Sequence, residues 1–362
     1  MILFLTLTVI PFINFIVTVY NFFTHPEFSS KIYGGRKVTL SVLIPARNEE
    51  RNIRDCLRGI LNQSYENYEV IVMDDFSGDN TFAIASEIAE NDSRVKVLRG
   101  TEMAAGWTGK NWTCMQLAEK SEGEYILFID ADVRLENKAV ESAMFYMHEY
   151  NPDLFTVFPV QITKSLGEML TVPLFNWILL SFLPVKKVFE NKSKYYTAAI
   201  GQFMMWKRDS YFTSGGHRAV KDKVVEDIEL AKHLKAQGFR IYPALSDETV
   251  KCRMYSSFRE SISGFTKNYF PASSRSAFSF LLTISVITFS YIFPLVMIFF
   301  NNLFLITLVM IIIQRILVSS ISRKNIFFSF LFPFQMIIFL YTGIRSVMLT
   351  KSGKATWKNR KV

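Results

Sequence analysis

The sequence predicts an α/β domain with a mostly parallel central sheet, set between apolar helices long enough to cross a membrane. Three observations carry this. Four runs of strand character, "VTLSVLIPA", "YEVIVMDD", "VKVLRG" and "EYILFIDAD", alternate with helix-like stretches after residue 39. Residues 1–23, and runs at 277–300, 303–320 and 326–349, are predominantly apolar, close to the roughly 20 residues a span requires. Half of the 362 residues are hydrophobic while the formal charge is +9, and the lysines and arginines cluster beside the apolar runs, as in membrane proteins whose basic loops stay inside.

Taken in order, "MILFLTLTVIPFINFIVTVYNFF" has neither the basic start nor the small-residue cleavage site of a signal peptide. Residues 1–23 are therefore expected to be an uncleaved anchor. Lys31, Arg36 and Lys37 in the basic linker 24–38 would hold the chain from residue 24 onward in the cytoplasm. After the first strand, Ile53, Cys56, Leu57, Ile60 and Leu61 recur at helical spacing, with Asn48 placed to cap that helix. Glu226 and Asp227 open a second helix, on which Val225, Ile228, Ala231 and Leu234 recur. Near the other end, Arg315 lies inside an apolar run, where a bilayer-centre arginine costs roughly 2.5–3.5 kcal/mol; its neighbours Arg323 and Lys324 suggest that it snorkels to the cytoplasmic face. "FPFQ" at 332–335 is expected to interrupt the last run, so 277–349 reads as two spans plus a third span or a re-entrant segment. The basic tail 350–362 is expected in the cytoplasm, and the chain as a whole in the plasma membrane as a multi-pass protein.

The basic balance does not point to nucleic acid: no zinc-finger or RNP-type motif and no basic reading helix occurs. Cys56, Cys114 and Cys252 are far apart and odd in number, which suits neither a zinc site nor a disulfide framework. G-x-x-x-x-G-K-[ST] and G-x-G-x-x-G are both absent, which argues against a P-loop nucleotidase or a dinucleotide enzyme.

In open α/β sheets, ligands bind beyond the carboxyl ends of the strands. There the first strand delivers "IPARNEE", the second Asp74-Asp75 and the fourth Asp130-Ala131-Asp132, with Lys110 in the glycine-containing loop "GWTGKNW" before the last. Acids and a lysine around one crevice suit a phosphorylated nucleotide held through a divalent metal, because Mg²⁺ and Mn²⁺ favour oxygen ligands. Each piece also has a plain structural account. Asp74, Asp75, Ser77 and Asp79 could form only an Asx-rich turn, and Glu226-Asp227 only a helix start favoured by the dipole. Asp130 and Asp132 resist that account best, since acids closing an apolar strand are costly without a cation or donors.

"SVLIPARNEE", "VIVMDDFSGDNT", "GWTGKNW", "GEYILFIDADV" and "VVEDIEL" together resemble, in order, the motifs of family 2 glycosyltransferases of the GT-A fold, over about residues 39–275. That resemblance implies a GT-A catalytic domain at 39–250, followed by a membrane-proximal segment at 251–276. It also implies a nucleotide-sugar donor, usually a UDP-sugar, a Mg²⁺ or Mn²⁺ cofactor, and inversion at the anomeric carbon. Pro45, Arg47 and Glu49 would line the nucleotide pocket, Asp75 would accept from the uracil ring, and Asp130 would face the ribose or sugar. Asp132 would ligate the metal, Lys110 would stabilise charge on the diphosphate, and Asp227 would be the general base. Gly215, Gly216 and His217 would shape the acceptor side.

"GQFMMWKRDSYFTSGGH" and "RMYSSFRESISGFTKN", with the flanking spans, are similar to membrane glycosyltransferases that modify lipids, which implies a lipid acceptor such as a carotenoid acid. A hopanoid or glycerolipid fits the same physics. Two departures stand out. Phe76 replaces a small or polar residue after the aspartate pair, and the Q-x-x-R-W motif of processive synthases is missing, which favours a single transfer. A polysaccharide synthase that exports its product is the alternative. A non-catalytic scaffold is disfavoured by the full set of carboxylates, and a transporter by the absence of paired interrupted helices.

Overall fold

Leu40–Ala46, Tyr68–Asp74, Val95–Arg99 and Tyr125–Ile129 are strands, and they lie side by side in parallel. The largely apolar runs of the first, second and fourth are those of strands covered on both faces, whereas Val95–Arg99, at the sheet's edge, is mostly not buried. The computed structural model describes residues 2–273, 275–353, 356–357 and 360–361, without the side chains of residues 2, 3, 5, 6, 356, 357, 360 and 361. Two units emerge: residues 26–160 with 187–253, and residues 1–25 with 161–186 and 254–362.

The first unit is built on an eight-stranded sheet. In spatial order the strands are Glu27–Phe28, Ile241–Ser246, Leu154–Phe158, Phe203–Lys207, Tyr125–Ile129, Leu40–Ala46, Tyr68–Asp74 and Val95–Arg99. Only Phe203–Lys207 runs antiparallel to its neighbours. This is the predicted α/β architecture with a mostly parallel sheet. Val133–Leu135, just past the Asp130-Asp132 pair, pairs antiparallel with Val250–Cys252 outside that sheet. The stretch expected as a basic linker begins with the sheet's edge strand: Glu27 and Phe28 pair with Leu245 and Ser246, and Phe28 is fully buried.

The helix after the first strand spans Ile53–Leu61 and buries Ile53, Cys56, Leu57 and Ile60. Asn48 does not cap it. Asn48 adopts a left-handed backbone (φ 50°) and its side chain accepts from Gly78 N at 2.8 Å, while Asn52 stands at the N-cap position. The asparagine is spent on a loop-to-loop contact that its sequence spacing could not disclose.

The second unit is helical. Ile2–Thr24, Ala277–Met297, Phe304–Ile321 and Ile326–Lys351 contain stretches long and apolar enough to cross a membrane. Buried polar side chains tie them together: Asn14 Nδ2 donates to Tyr291 Oη (3.1 Å), which donates to Gln314 Oε1 (2.8 Å). Asn21 donates to the carbonyls of Leu180 and Leu183, both at 2.8 Å, at the end of the shorter helix Pro173–Phe182. "FPFQ" does not split the last run: a 3₁₀ turn Ile326–Leu331 leads into the helix Phe332–Lys351, with proline in its first turn. Proline fits there because the first N–H groups of a helix have no intrahelical acceptor. Arg315 does not snorkel. It is 3% exposed, donates to Gln335 Oε1, and lies with its guanidinium carbon 5.3 Å from the Trp177 ring centroid. The basic tail falls largely outside the described residues.

Candidate active site

The register of the sheet sets the site. Ala46 pairs with Asp74, so the loops after the first two strands leave the sheet together, and the strand Tyr125–Ile129 lies on the other side of the first. Asp75 N donates to Ala46 O at 2.8 Å, and Arg47 reaches back across the same gap to donate to the carbonyls of Asp75 and Phe76. Its guanidinium is also 3.9 Å from the Asp75 carboxylate. This double clasp holds Phe76 at φ 52°, a region in which a bulky residue is rare. The Phe76 side chain stays exposed. Ser77 and Thr81 complete the turn by meeting Asn48 N (2.9 Å) and Glu49 N (2.7 Å). Arg47, Glu49 and Asp75 thus belong to one pair of interlocked loops, and Pro45 to the strand that leads into them. The Asx-rich turn is real as well: Ser77 N donates to Asp74 Oδ2 at 3.3 Å.

Asp130 and Asp132 follow the fourth strand. Lys110 Nζ lies 2.9 Å from Asp130 Oδ1 and 2.8 Å from Glu226 Oε1, bridging two carboxylates from distant parts of the chain. Burial alone would lower the Lys110 ammonium, but the charges of Asp130 and Glu226 outweigh it and hold the pKa well above the ordinary lysine value. Burial likewise works against ionised Glu226, and Lys110 overcomes it, so Glu226 is held below the usual carboxylate range. Lys110 is not held by a loop, as the glycines around it suggested, but stands in the first turn of the helix Gly109–Lys120, with Thr108 at its N-cap. Thr108 N donates to Lys221 O at 2.8 Å, and Asn111 Nδ2 to Val220 O (2.8 Å) and Lys223 O (3.1 Å), fastening the start of this helix to the segment that leads into Glu226. Trp107, just before the helix, and Trp112, on it, meet edge to face at 5.1 Å.

Asp227 stands beside this cluster at the start of the helix Glu226–Ala236. Its oxygens accept from Gly201 N (3.0 Å) and Ile228 N (2.8 Å). Burial, then the charge of Glu226, pushes its pKa up to about 6, which suits a carboxylate that must take a proton near neutrality. Gly201 is part of the construction. A Cβ there would lie 3.0 Å from Lys110 Nζ and 3.2 Å from Glu226 Oε1, so any larger residue would push these two side-chain ends aside.

Asp132 could hold a cation. Its Oδ1 is buried without a hydrogen-bond partner, and burial followed by the charges of Asp130 and Glu49 pushes its pKa up to about 7. An acid left so exposed to like charge and so short of donors fits a divalent metal. Among the described residues no three His, Cys, Asp or Glu side chains gather as a metal cage. The Cys252 thiol hydrogen-bonds Asp132, and Gln202 Nε2 donates to Cys252 Sγ at 2.9 Å.

Glu226, Gly201, Gln202 and Cys252 are members of the site that reading the sequence did not single out. Only the adjacency of Glu226 to Asp227 offered a signal. His217 is not on an open surface. It is 2% exposed, accepts or donates at 2.8 Å with Tyr211 Oη, and packs edge-on against Phe128 at 4.9 Å. Burial pushes its pKa down to about 4, so it is a neutral core histidine beneath the strand that delivers Asp130. Gly215 and Gly216 form the turn before it, at φ 86° and 47°.

Comparison with known proteins gives the family and the fold. The sequence profile of glycosyl transferase family 2 matches residues 41–229. A 4,4'-diaponeurosporenoate glycosyltransferase from Staphylococcus haemolyticus (strain JCSC1435) is 29% identical over 251 residues, covering 67% of this chain and 64% of that protein. The enzyme of the same name from Staphylococcus aureus (strain USA300) is 29% identical over 232 residues, 63% of this chain and 60% of the relative. The match thus spans less than two thirds of these relatives' length. Among solved structures, a mannosyltransferase from Pyrobaculum calidifontis in complex with GDP-Man and Mn²⁺ aligns with a TM-score of 0.53 at 14% identity, over 95% of this chain and 99% of that one. It shares the GT-A-like fold.

Proposed function

The chain belongs to glycosyl transferase family 2, and on that premise we propose that it is an inverting, metal-dependent hexosyltransferase that moves a sugar from a UDP-sugar to a lipid acceptor. Glucose is the simplest sugar. A carotenoid acid is the acceptor we favour, because relatives named 4,4'-diaponeurosporenoate glycosyltransferase match most of the chain. The observation that carries the reading is the Asp130–Lys110–Glu226 bridge with Asp227 beside it, a base held near pH 6 against a fixed cation.

In this reading Asp75 accepts from the uracil ring within the loops that Arg47 clasps, with Pro45 and Glu49 lining the same pocket. Asp130, fixed by Lys110, faces the ribose or sugar. Asp227 takes the proton of the acceptor oxygen as that oxygen forms its bond to the anomeric carbon; the bond from that carbon to the diphosphate breaks on the opposite face, and UDP leaves with the electron pair. Gly201 N and Ile228 N keep the Asp227 carboxylate aimed while it does so. The positive charge of Lys110 stabilises the departing diphosphate. A divalent cation at Asp132, Mg²⁺ or Mn²⁺, would supply Lewis-acid stabilisation of the same charge.

The test is to supply membranes containing the protein with radiolabelled UDP-glucose, Mg²⁺ or Mn²⁺ and a carotenoid acid, then to separate the lipid extract from insoluble polymer. Label in the lipid extract is expected. Label in polymer would instead favour a polysaccharide synthase, and label only from a GDP-sugar would remove the UDP assignment.

A further inference from the structure

The helical unit holds a charged pocket that the transfer reaction does not use. Its walls include Arg315 and Val318 of the helix Phe304–Ile321, Lys324 in the connection after it, and Ser329 and Gln335 from the next run. Arg315 is 3% exposed, yet only one of its terminal nitrogens is engaged: Nη2 donates to Gln335 Oε1, while Nη1 is buried with no hydrogen-bond partner. Gln335 is itself fixed, with Nε2 donating to Met169 O at 3.1 Å. Ser319 and Ser329 hydroxyls meet at 3.0 Å on the same wall.

A buried arginine with a spare donor is costly unless something negative completes it. The nearby carboxylate is Glu168. It is fully buried, accepts from Lys164 N and the Ser165 hydroxyl (both 2.9 Å), and lies close enough to Lys324 to act on its charge. Glu168 thus acts on Lys324, while Arg315 Nη1 stays buried without a hydrogen-bond partner. Burial pushes the Lys324 ammonium down to about 8, and the charge of Glu168 offsets only part of this. The pocket is partly open but narrow, with about 10 Å³ of room for the centre of a water-sized group. It admits one oxygen of a ligand whose remainder stays outside.

We propose that Arg315 and Lys324 form an anion site that takes an oxygen of the phosphate or carboxylate headgroup of an amphipathic lipid. The apolar spans around it are what select a lipid-borne anion over a free one. This inference does not depend on which sugar or acceptor the enzyme uses.

The test is native mass spectrometry of the full chain in an uncharged maltoside detergent, with dioleoyl phosphatidic acid, oleate or inorganic phosphate added. The parent is expected to retain one phosphatidic acid or oleate per chain and no inorganic phosphate. Arg315→Met is expected to weaken retention at least about tenfold, since the loss of one charge-assisted hydrogen bond is worth roughly 1.5–3 kcal/mol. Lys324→Gln, at the connection rather than inside a span, should weaken it while leaving the thermal unfolding midpoint in place, which separates lost binding from lost folding. Retention that is unchanged in both variants, or absent in the parent, would overturn the site. Inorganic phosphate binding as well as the lipids do would overturn the lipid assignment.

Discussion

In the proposed reaction the chemistry turns on Asp227 and Lys110. A base whose pKa is raised to about 6 must be ionised to work, so kcat/KM should climb with unit slope as pH rises to about 6 and then level. Asp227→Asn removes the base but keeps the shape. Turnover should fall by about 10²–10⁴-fold, the usual worth of a positioned general base, with donor binding by calorimetry unchanged. Lys110→Met leaves Asp130 and Glu226 facing each other without their cation. Breaking a buried pair in this way destabilises by about 3–5 kcal/mol, and the side chain here is 23% exposed, so the low end is expected in chemical denaturation.

The acids of this site were legible as sequence where they close apolar strands, as Asp130 and Asp132 do after "YILFI". Glu226 was not read as the lysine's second partner, because nothing local links "GWTGKNW" to the segment before Glu226 that Asn111 fastens to it. Arg315 was misjudged for the same reason: Gln335 and Trp177, which keep it inside, come from other helices.

At the scale of elements, the site depends on backbone that passes close to charged side chains. Gly201, just before the antiparallel strand Phe203–Lys207, donates to Asp227 and leaves room for Lys110 and Glu226. Gly201→Ala would press a methyl group on two flexible side-chain ends rather than on backbone, so the fold should survive. A misplacement of a few tenths of an ångström in a catalytic cluster is expected to lower kcat by about tenfold, since a full 1 Å can cost about a hundredfold. Steady-state kinetics beside a thermal melt would show activity falling while the melting temperature holds. The strands themselves were the most readable elements, since β-branched runs ending in turns left little choice. The helix after the first strand was right in its apolar face and wrong in its cap, because Asn48 is drawn to Gly78 across the loop pair.

For the whole molecule, the continuous helix Phe332–Lys351 bears on the expected topology. If all four apolar helices cross, Asn325 lies on the same side as Glu27 and Ser352 on the opposite side, in place of the cytoplasmic tail first expected. Cys56, Cys114 and Cys252 are all buried, so cysteines introduced singly as Asn325→Cys and Ser352→Cys stand out against a quiet background. An impermeant maleimide added to intact cells should label the cysteine at 352 and spare the one at 325. Protection of both would restore the re-entrant segment.

Transfer of a hexose to a lipid with Asp227 as the base, as proposed, fixes both the product and its stereochemistry. The most direct measurement supplies UDP-glucose, Mn²⁺ and a carotenoid acid to the parent and to Asp227→Asn, and reads the lipid product by mass spectrometry with its anomeric configuration by NMR. One hexose added per acceptor, with inverted configuration, from the parent and not from the variant, is the predicted result. Equal product from both, or retained configuration, would contradict it.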